Sequence, residues 1–219
     1  MILSSAGTGS QNLKSGSTDN SHKEKNAAMG QCFIFEKTFD KIDYRSCPPG
    51  KGEYESCIFS GCDFSDSDLS DIKFLDCEFR GCNLSLASLS STLLIDVKFT
   101  DCKMLGLHFE DCNESGLSFS FENCNLSHSS FFKRNIKKTI FRSSRLEEAD
   151  FTDAILSGSV FDGCDLTRAQ FDNTSLDKVD FRTASGYSID PEKNFVRHAL
   201  FSLSGLRGLL DKYNLEIEE

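Results

Sequence analysis

Every fifth residue is large and apolar through most of this chain. The series starts at Phe59, slips by two positions after Phe109, resumes at Phe121 and ends at Phe181. A period of five matches neither an α-helix, at about 3.6 residues, nor a strand, at about two. It matches a chain that turns a corner every five residues and closes a square coil every twenty. Such coils stack about 4.8 Å apart, at strand spacing.

A second inward position lies two residues before each large residue and is mostly occupied by small side chains. Cys62, Ser67, Ala149 and Thr174 are examples. After the phase slip, Phe alternates with Leu or Ile, which should place Phe on two opposite faces of a four-sided coil. The pattern therefore predicts an all-β fold, a right-handed quadrilateral parallel β-helix with a helical cap at its C-terminal end.

The predicted organisation has three parts. Residues 1–31 are polar and rich in Ser and Gly, a composition typical of a disordered tail. Residues 32–187 form the β-helix, with a bulge at the phase slip at about residues 110–120. Residues 188–219 are expected to form a C-terminal helix and a short strand, because the five-residue period stops after Tyr187 and Pro191 suits the first turn of a helix.

The C-terminal helix has two open interpretations. The open end of a solenoid needs a cap, so the helix can be a cap alone. It can also be a cap that doubles as a homodimer interface, because its leucines exceed what one coil can cover. The residues predicted for that interface are Phe201, Leu203, Leu206, Leu209, Leu210, Tyr213, Leu215 and Ile217.

The ten cysteines are expected to be structural. All lie two residues before a large position or its extrapolation, which is a packing position. Stacked coils hold Cβ atoms about 4.8 Å apart, farther than the roughly 3.8 Å of a disulfide, and zinc needs convergent ligands. We therefore expect free thiols in a reducing cytoplasm, and neither a metal nor a cofactor.

The sequence lacks the marks of an enzyme or a membrane protein. Hydrolase elbows, phosphate loops and dinucleotide motifs are missing, and a narrow solenoid leaves no cavity for a substrate. We expect no catalytic residue and no small-molecule substrate. No apolar run reaches the roughly 18 residues of a membrane span.

Charge points to a protein partner. The net charge of −10 argues against a long phosphate-binding surface, and hence against direct binding of nucleic acid. Acidic residues are dense between Glu53 and Glu122, whereas Lys133–Arg145 is a basic band. The predicted partner-binding residues are the outward acids Asp63, Asp66, Asp68, Asp71, Asp76, Glu78, Asp96, Asp101, Glu110 and Asp111.

Several stretches resemble the pentapeptide-repeat family: CDFSDSDLSD at 62–71, ADFTDAILSG at 149–158 and CDLTRAQFDN at 164–173. VKFTDCKMLGLHF at 97–109, SFENCNLSHSSFF at 120–132 and the C-terminal tail look like those members that protect DNA gyrase. These are the albicidin and microcin immunity proteins and the quinolone-resistance group.

That resemblance implies a non-enzymatic antibiotic-resistance or immunity protein. Two rods would join through their C-terminal helices and last strands, and the acidic dimer would occupy the DNA-binding saddle of gyrase or topoisomerase IV as a DNA mimic. The alternative is a protein–protein interaction scaffold with an unknown partner, because one repeat fold supports many functions.

Overall fold

The chain forms a parallel β-solenoid. The computed structural model describes residues 32–216, so the predicted tail 1–31 and the predicted interface residue Ile217 lie outside the described residues. The strands are β1 (Cys32–Phe35), β2 (Thr38–Asp40), β3 (Gly52–Glu55), β4 (Ile58–Ser60), β5 (Lys73–Leu75), β6 (Glu78–Arg80), β7 (Leu93–Ile95), β8 (Val97–Thr100), β9 (Phe119–Glu122), β10 (Ile140–Arg142) and β11 (Val160–Asp162).

Each coil has four faces, which we number by the large residue that points inward from each. Face 1 carries the column of Phe59, face 2 that of Leu84, face 3 that of Leu89 and face 4 that of Phe74. Face 1 is a seven-stranded sheet in the order β11-β10-β9-β8-β6-β4-β2, and face 4 a four-stranded sheet in the order β1-β3-β5-β7. Faces 2 and 3 are held by single parallel bridges. The twenty-residue register sets which side chains share a column.

Phenylalanine fills the core on two opposite faces, as the spacing predicted. Face 1 stacks nine rings with neighbouring centroids 4.7–5.3 Å apart: Phe39, Phe59, Phe79, Phe99, Phe121, Phe141, Phe161, Phe181 and Phe201. Face 3 stacks Phe109, Phe131, Phe151 and Phe171. The two columns meet edge to face, as between Phe131 and Phe141 at 6.0 Å and 87°. Rings in this arrangement fill a square interior at favourable aromatic geometry.

The phase slip is a local insertion in one continuous rod. Phe99 pairs with Phe121, a step of 22 residues, whereas Phe79 pairs with Phe99 at a step of 20. The sheet of face 1 runs through the slip because β8 pairs with β9. The extra residues bulge from face 4 beyond β7, near residues 113–117, where the Oγ of Ser118 donates to Asp96 at 2.9 Å.

The solenoid continues for one coil past the predicted boundary at residue 187. Phe195 pairs with Ser175 and Leu200 with Asp180, and the Phe201 ring stacks on Phe181 at 5.3 Å. The five-residue apolar pattern is lost because Gly186 and Pro191 stand at two positions of the series, and Tyr187 and Ile189 are buried in their stead. The twenty-residue register resumes at Phe195. The end of the repeat therefore moves to about Phe201, and residues 188–200 belong to the solenoid rather than to a helix.

The C-terminal cap is helical, but it consists of two short 3₁₀ helices, Ser204–Leu209 and Asp211–Tyr213, and no strand follows up to residue 216. Gly205 and Gly208 disfavour an α-helix, and Leu203, Leu206 and Leu209 recur every three residues, the period of a 3₁₀ helix. Gly208 accepts a hydrogen bond from the Ile189 amide at 2.8 Å. A Cβ atom on Gly208 would overlap the carbonyl oxygen of Tyr187, so this close approach requires glycine.

Candidate functional site

The outward positions form columns that run along the rod. The corner residue after each face takes a left-handed backbone conformation, with φ near +60° at Asp71 and Lys138. All ten predicted acids lie at outward positions, but they occupy different faces. Asp68, Asp71, Glu110 and Asp111 share face 3. Asp63 and Asp66 lie on face 2 and its corner, Glu78 and Asp101 on face 1 and its corner, and Asp76 and Asp96 at the corner between faces 4 and 1.

Face 3 gathers more acids than the linear sequence suggested. Parallel bridges join Ser130 to Asp150 and Asp150 to Gln170, and the amide of Asp153 donates to the carbonyl of Asp172 at 2.9 Å. At the C-terminal end of this face no bridge pairs Gln170 with Asp190, but the Asn173 amide donates to the Lys193 carbonyl at 3.0 Å, so residues 190–192 lie at the end of the same face. We call the following set the acidic face: Asp68, Asp71, Glu110, Asp111, Asp150, Asp153, Asp172, Asp190 and Glu192. Five of these nine were missed, because they lie outside the acid-dense stretch 53–122 and only the twenty-residue register aligns them.

Some carboxylates of the acidic face stabilise the fold. Asp68, Asp150 and Asp190 each accept the backbone amide two residues later, at 2.8–2.9 Å. The same turn contact recurs at Asp63 and Asp165 on face 2. Hydrogen bonds from Ser70 and from Lys51 lower the pKa of Asp68 to about 2. These acids stabilise turns, whatever else they bind.

Other members of the acidic face accept no such turn hydrogen bond. The side chains of Asp71, Asp111 and Asp172 make no hydrogen bond or ion pair within residues 32–216, and all three are exposed. Asp153 accepts only from the Asn173 amide, at 2.6 Å. Free, exposed carboxylates of this kind can meet a basic partner without losing an internal contact.

The predicted basic band does not stay together as one patch. Arg142 pairs with Asp162 on face 1 at 3.3 Å, and the largely buried Arg134 pairs with Glu114 of the insertion at 3.1 Å. Arg145 lies on face 2. The remaining lysines join later cations on the C-terminal half of face 4. We call the following set the basic face: Lys133, Lys137, Lys138, Lys178, Lys193 and Arg197.

The C-terminal end of the rod is apolar and exposed. Of the predicted interface residues, Phe201 and Leu209 pack against the core, whereas the exposed ones are Leu203, Leu206, Leu210, Tyr213 and Leu215. Leu203 is 87% exposed. Phe195 and Leu200 are also exposed nearby, although sequence reasoning had not included them. Lys212 anchors the cap, since its Nζ lies 2.7 Å from both Asp190 and Glu192.

The cysteines are free, as the sequence predicted, and eight of the ten are buried. They also donate hydrogen bonds between coils: the Sγ of Cys77 donates to the carbonyl of Tyr54 at 3.2 Å, and that of Cys82 to Phe59 at 3.3 Å. Burial raises the pKa of Cys77 and of Cys164 to about 12. Within residues 32–216 no group of His, Cys, Asp and Glu side chains is arranged to hold a metal ion.

Among the described residues, no helix has the length and apolar character that a transmembrane span requires.

Comparison with known proteins identifies the repeat. A sequence profile described as the pentapeptide repeat region matches residues 53–131 and 117–209. No curated protein sequence matches. Two trypsin-treated variants of QnrB1, a plasmid-mediated fluoroquinolone resistance protein, superpose with TM-scores of 0.55 and 0.51 at 18% identity. They cover 86% of this chain and 98% and 100% of their own. At this identity the likeness concerns the fold alone.

Proposed function

This chain belongs to the pentapeptide-repeat family, and from that premise we propose that it is a non-enzymatic immunity factor that binds and protects bacterial DNA gyrase or topoisomerase IV. The proposal assigns the acidic face to the enzyme's DNA-binding groove as a mimic of duplex phosphates. It places the protein in the cytoplasm, where topoisomerases act and thiols stay reduced.

The observation that carries the proposal is the spacing of charge along the acidic face. Nine acids are distributed over six coil steps, or about 29 Å, which is one per roughly 3.2 Å. One strand of duplex DNA carries a phosphate every 3.4 Å or so. Three lysines, Lys51, Lys133 and Lys193, lie at the edge of this face, and Lys212 pairs with Asp190 and Glu192. These four cations reduce the net charge to about one per 6 Å. A groove shaped for phosphates would meet a comparable row of anions.

Dimerisation would double the length of this row. Nine stacked rings on face 1 give a rod of about 38 Å, and two rods joined at their apolar C-terminal ends would match roughly 22 base pairs at 3.4 Å each. The exposed Leu203, Leu206 and Leu210 supply apolar surface for such a junction. The relatives' association with fluoroquinolone resistance is consistent with a target among type II topoisomerases.

A second candidate is a scaffold for a different protein partner. The turn contacts of Asp68, Asp150 and Asp190 favour it, because they explain part of the acidic face without any partner. In that case the acids would be a by-product of the repeat, and a topoisomerase would not bind.

The two candidates separate in a supercoiling assay. Purified gyrase is incubated with relaxed plasmid and the full-length protein, with and without a fluoroquinolone that traps cleaved DNA. We expect less cleaved plasmid in the presence of the protein and direct binding to gyrase in a pull-down. If the protein neither protects gyrase, nor inhibits supercoiling, nor binds the enzyme, the topoisomerase proposal is refuted and the scaffold candidate remains.

A further inference from the structure

We propose that the basic face binds the phosphate backbone of duplex DNA without reading its sequence. This inference does not rest on the topoisomerase proposal. The overall charge of −10 argues against a long phosphate-binding surface, but the fold collects cations from distant parts of the chain on one short face. A surface of this size can hold a few phosphates.

Backbone contacts between coils define the basic face. The Lys138 amide donates to the Ser157 carbonyl at 3.1 Å, and the Lys178 amide donates to the Arg197 carbonyl at 2.9 Å. Parallel bridges align Asn135, Ile155, Ser175 and Phe195 in the neighbouring column. The six cations therefore lie on face 4 and its two corners, over about three coil steps, or about 14 Å. A strand of duplex DNA presents roughly four phosphates over that length.

None of these six cations forms an ion pair within residues 32–216, whereas arginines on other faces do. Arg142 pairs with Asp162, Arg168 with Glu147 and Arg182 with Asp180. The basic face contains two acids, Asp153 and Asp177, so six cations and two acids leave a net charge of +4. Asp153 is already held by Asn173. The cations are thus available to an external anion.

The side chains of the face are suited to contact phosphates without fixing their orientation. Five of the six cations are lysines, which bind phosphate as point charges and lack the planar fork by which arginine orients a phosphate or a carboxylate. Asn135, Ser157 and Ser175 add neutral hydrogen-bonding groups of the kind that contact DNA backbones. Its outward apolar side chains are the half-buried Ile155 and, at the C-terminal edge, the exposed Phe195, so they form no apolar centre of the sort that anchors protein interfaces.

The acidic face next to this surface limits its affinity without abolishing it. Charges are screened over about 8 Å at physiological ionic strength, and stacked faces of such a coil lie on the order of 10 Å apart. Binding should therefore be weak, independent of sequence and steeply dependent on salt, because each phosphate contact releases condensed counterions.

The test is fluorescence anisotropy of a labelled 20-base-pair duplex titrated with the full-length protein at several KCl concentrations from about 25 to 200 mM. The test variant carries Lys137→Gln, Lys138→Gln and Lys178→Gln. All three side chains are exposed and form no ion pair within residues 32–216, and glutamine tolerates the backbone conformation that lysine adopts there. We expect at least a tenfold loss of affinity at low salt and a salt slope smaller by about 2 to 3.

A matched control carries Lys37→Gln, Lys41→Gln and Lys103→Gln, which remove the same charge far from the basic face. It should bind DNA within about twofold of the wild type if the face, rather than net charge, holds the duplex. Equal losses in both variants, or no duplex binding at about 25 mM KCl, would overturn the proposal. Binding of polyglutamate in preference to DNA would also overturn it and assign the face to an acidic protein.

Discussion

The side-chain amide of Asn194 donates to the carbonyl oxygen of Phe171 at 3.0 Å. One coil earlier, the Thr174 hydroxyl makes the same contact to the carbonyl of Phe151, at 2.8 Å. Asn194 also accepts the Thr174 amide at 2.9 Å. A polar residue thus fills a buried position of the repeat, and it does so in the coil where the apolar pattern has vanished.

We expect Asn194→Ala to destabilise the C-terminal coil by about 1 to 3 kcal/mol, because it leaves a buried amide and a buried carbonyl without partners. Chemical denaturation followed by circular dichroism measures the change. Asn194→Thr should recover part of the loss, since Thr174 shows that threonine suits this column. Asn135→Ala, at an exposed position, is the control. An equal loss of stability in that variant would contradict the role given to the buried hydrogen bonds of Asn194.

The inward columns could be predicted from the sequence, but the outward ones only in part. Phe, Leu and small residues repeat because the core has one shape in every coil, so spacing alone identified them. Gly186 and Pro191 broke that apolar pattern while hydrogen bonds such as those of Asn194 preserved the register, and the last coil was missed. Asp172 and Lys178 belong to different faces although they are six residues apart. Linear charge density cannot separate them, whereas the twenty-residue register does.

The buried thiols should resist alkylation. Burial raises the pKa of Cys77, Cys112 and Cys164 to about 12, so at pH 8 almost none of these groups is a thiolate, the reactive form. We expect iodoacetamide to modify the exposed Cys32 and Cys47 quickly in the native protein. All ten cysteines should react in denaturant. Mass spectrometry counts the adducts, and rapid native modification of the buried set would show that the coils open readily.

The cap should loosen in acid. A hydrogen bond from Lys212 holds the pKa of Asp190 and the pKa of Glu192 below their ordinary values. Groups whose pKa is lowered by folding stabilise the folded state at neutral pH and lose that effect as pH falls through their folded values. The Ile189 amide donates a hydrogen bond to Gly208. Its protection against hydrogen exchange should therefore decrease when the pH is below about 4.

Lys212→Gln tests the contact of Lys212 with Asp190 and Glu192 at neutral pH. It should lower the hydrogen-exchange protection of Ile189 at pH 7 and flatten its dependence on pH, because both carboxylates lose their cation. Lys103→Gln on face 2 serves as the control. Unchanged protection in Lys212→Gln would mean that packing of Gly208 on Tyr187 holds the cap without help from charge.

The apolar end should make the protein a dimer. Leu203, Leu206 and Leu210 are exposed, and we expect light scattering to give twice the chain mass at micromolar concentration. Leu206→Asp with Leu210→Asp should yield monomers, because buried unpaired carboxylates are costly. Leu86→Asp is a matched control, since Leu86 is 62% exposed on the side of the rod. A monomeric wild type, or a monomeric control variant, would refute an interface at this end.

The acidic face can be tested without disturbing its turns. Asp71, Asp111, Asp153 and Asp172 do not accept backbone amides through their side chains, so changing all four to Asn keeps size and turn chemistry while removing four negative charges. If this face replaces DNA in the enzyme's groove, the variant should need at least a tenfold higher concentration than the wild type to protect gyrase equally. The difference between the two concentrations should narrow as salt rises, because screening weakens interactions between charges.

A matched variant separates the position of charge from its amount. Asp76→Asn, Asp96→Asn, Asp101→Asn and Glu122→Gln remove the same charge from face 1 and from the corners it shares with faces 4 and 2. This variant should protect gyrase nearly as well as the wild type when both are assayed at the same protein concentration. Equal losses would show that net charge alone governs binding. The row of acids on face 3 would then be a consequence of turn chemistry. Asp68 and Asp150 already have such a role, because each accepts a backbone amide of its turn.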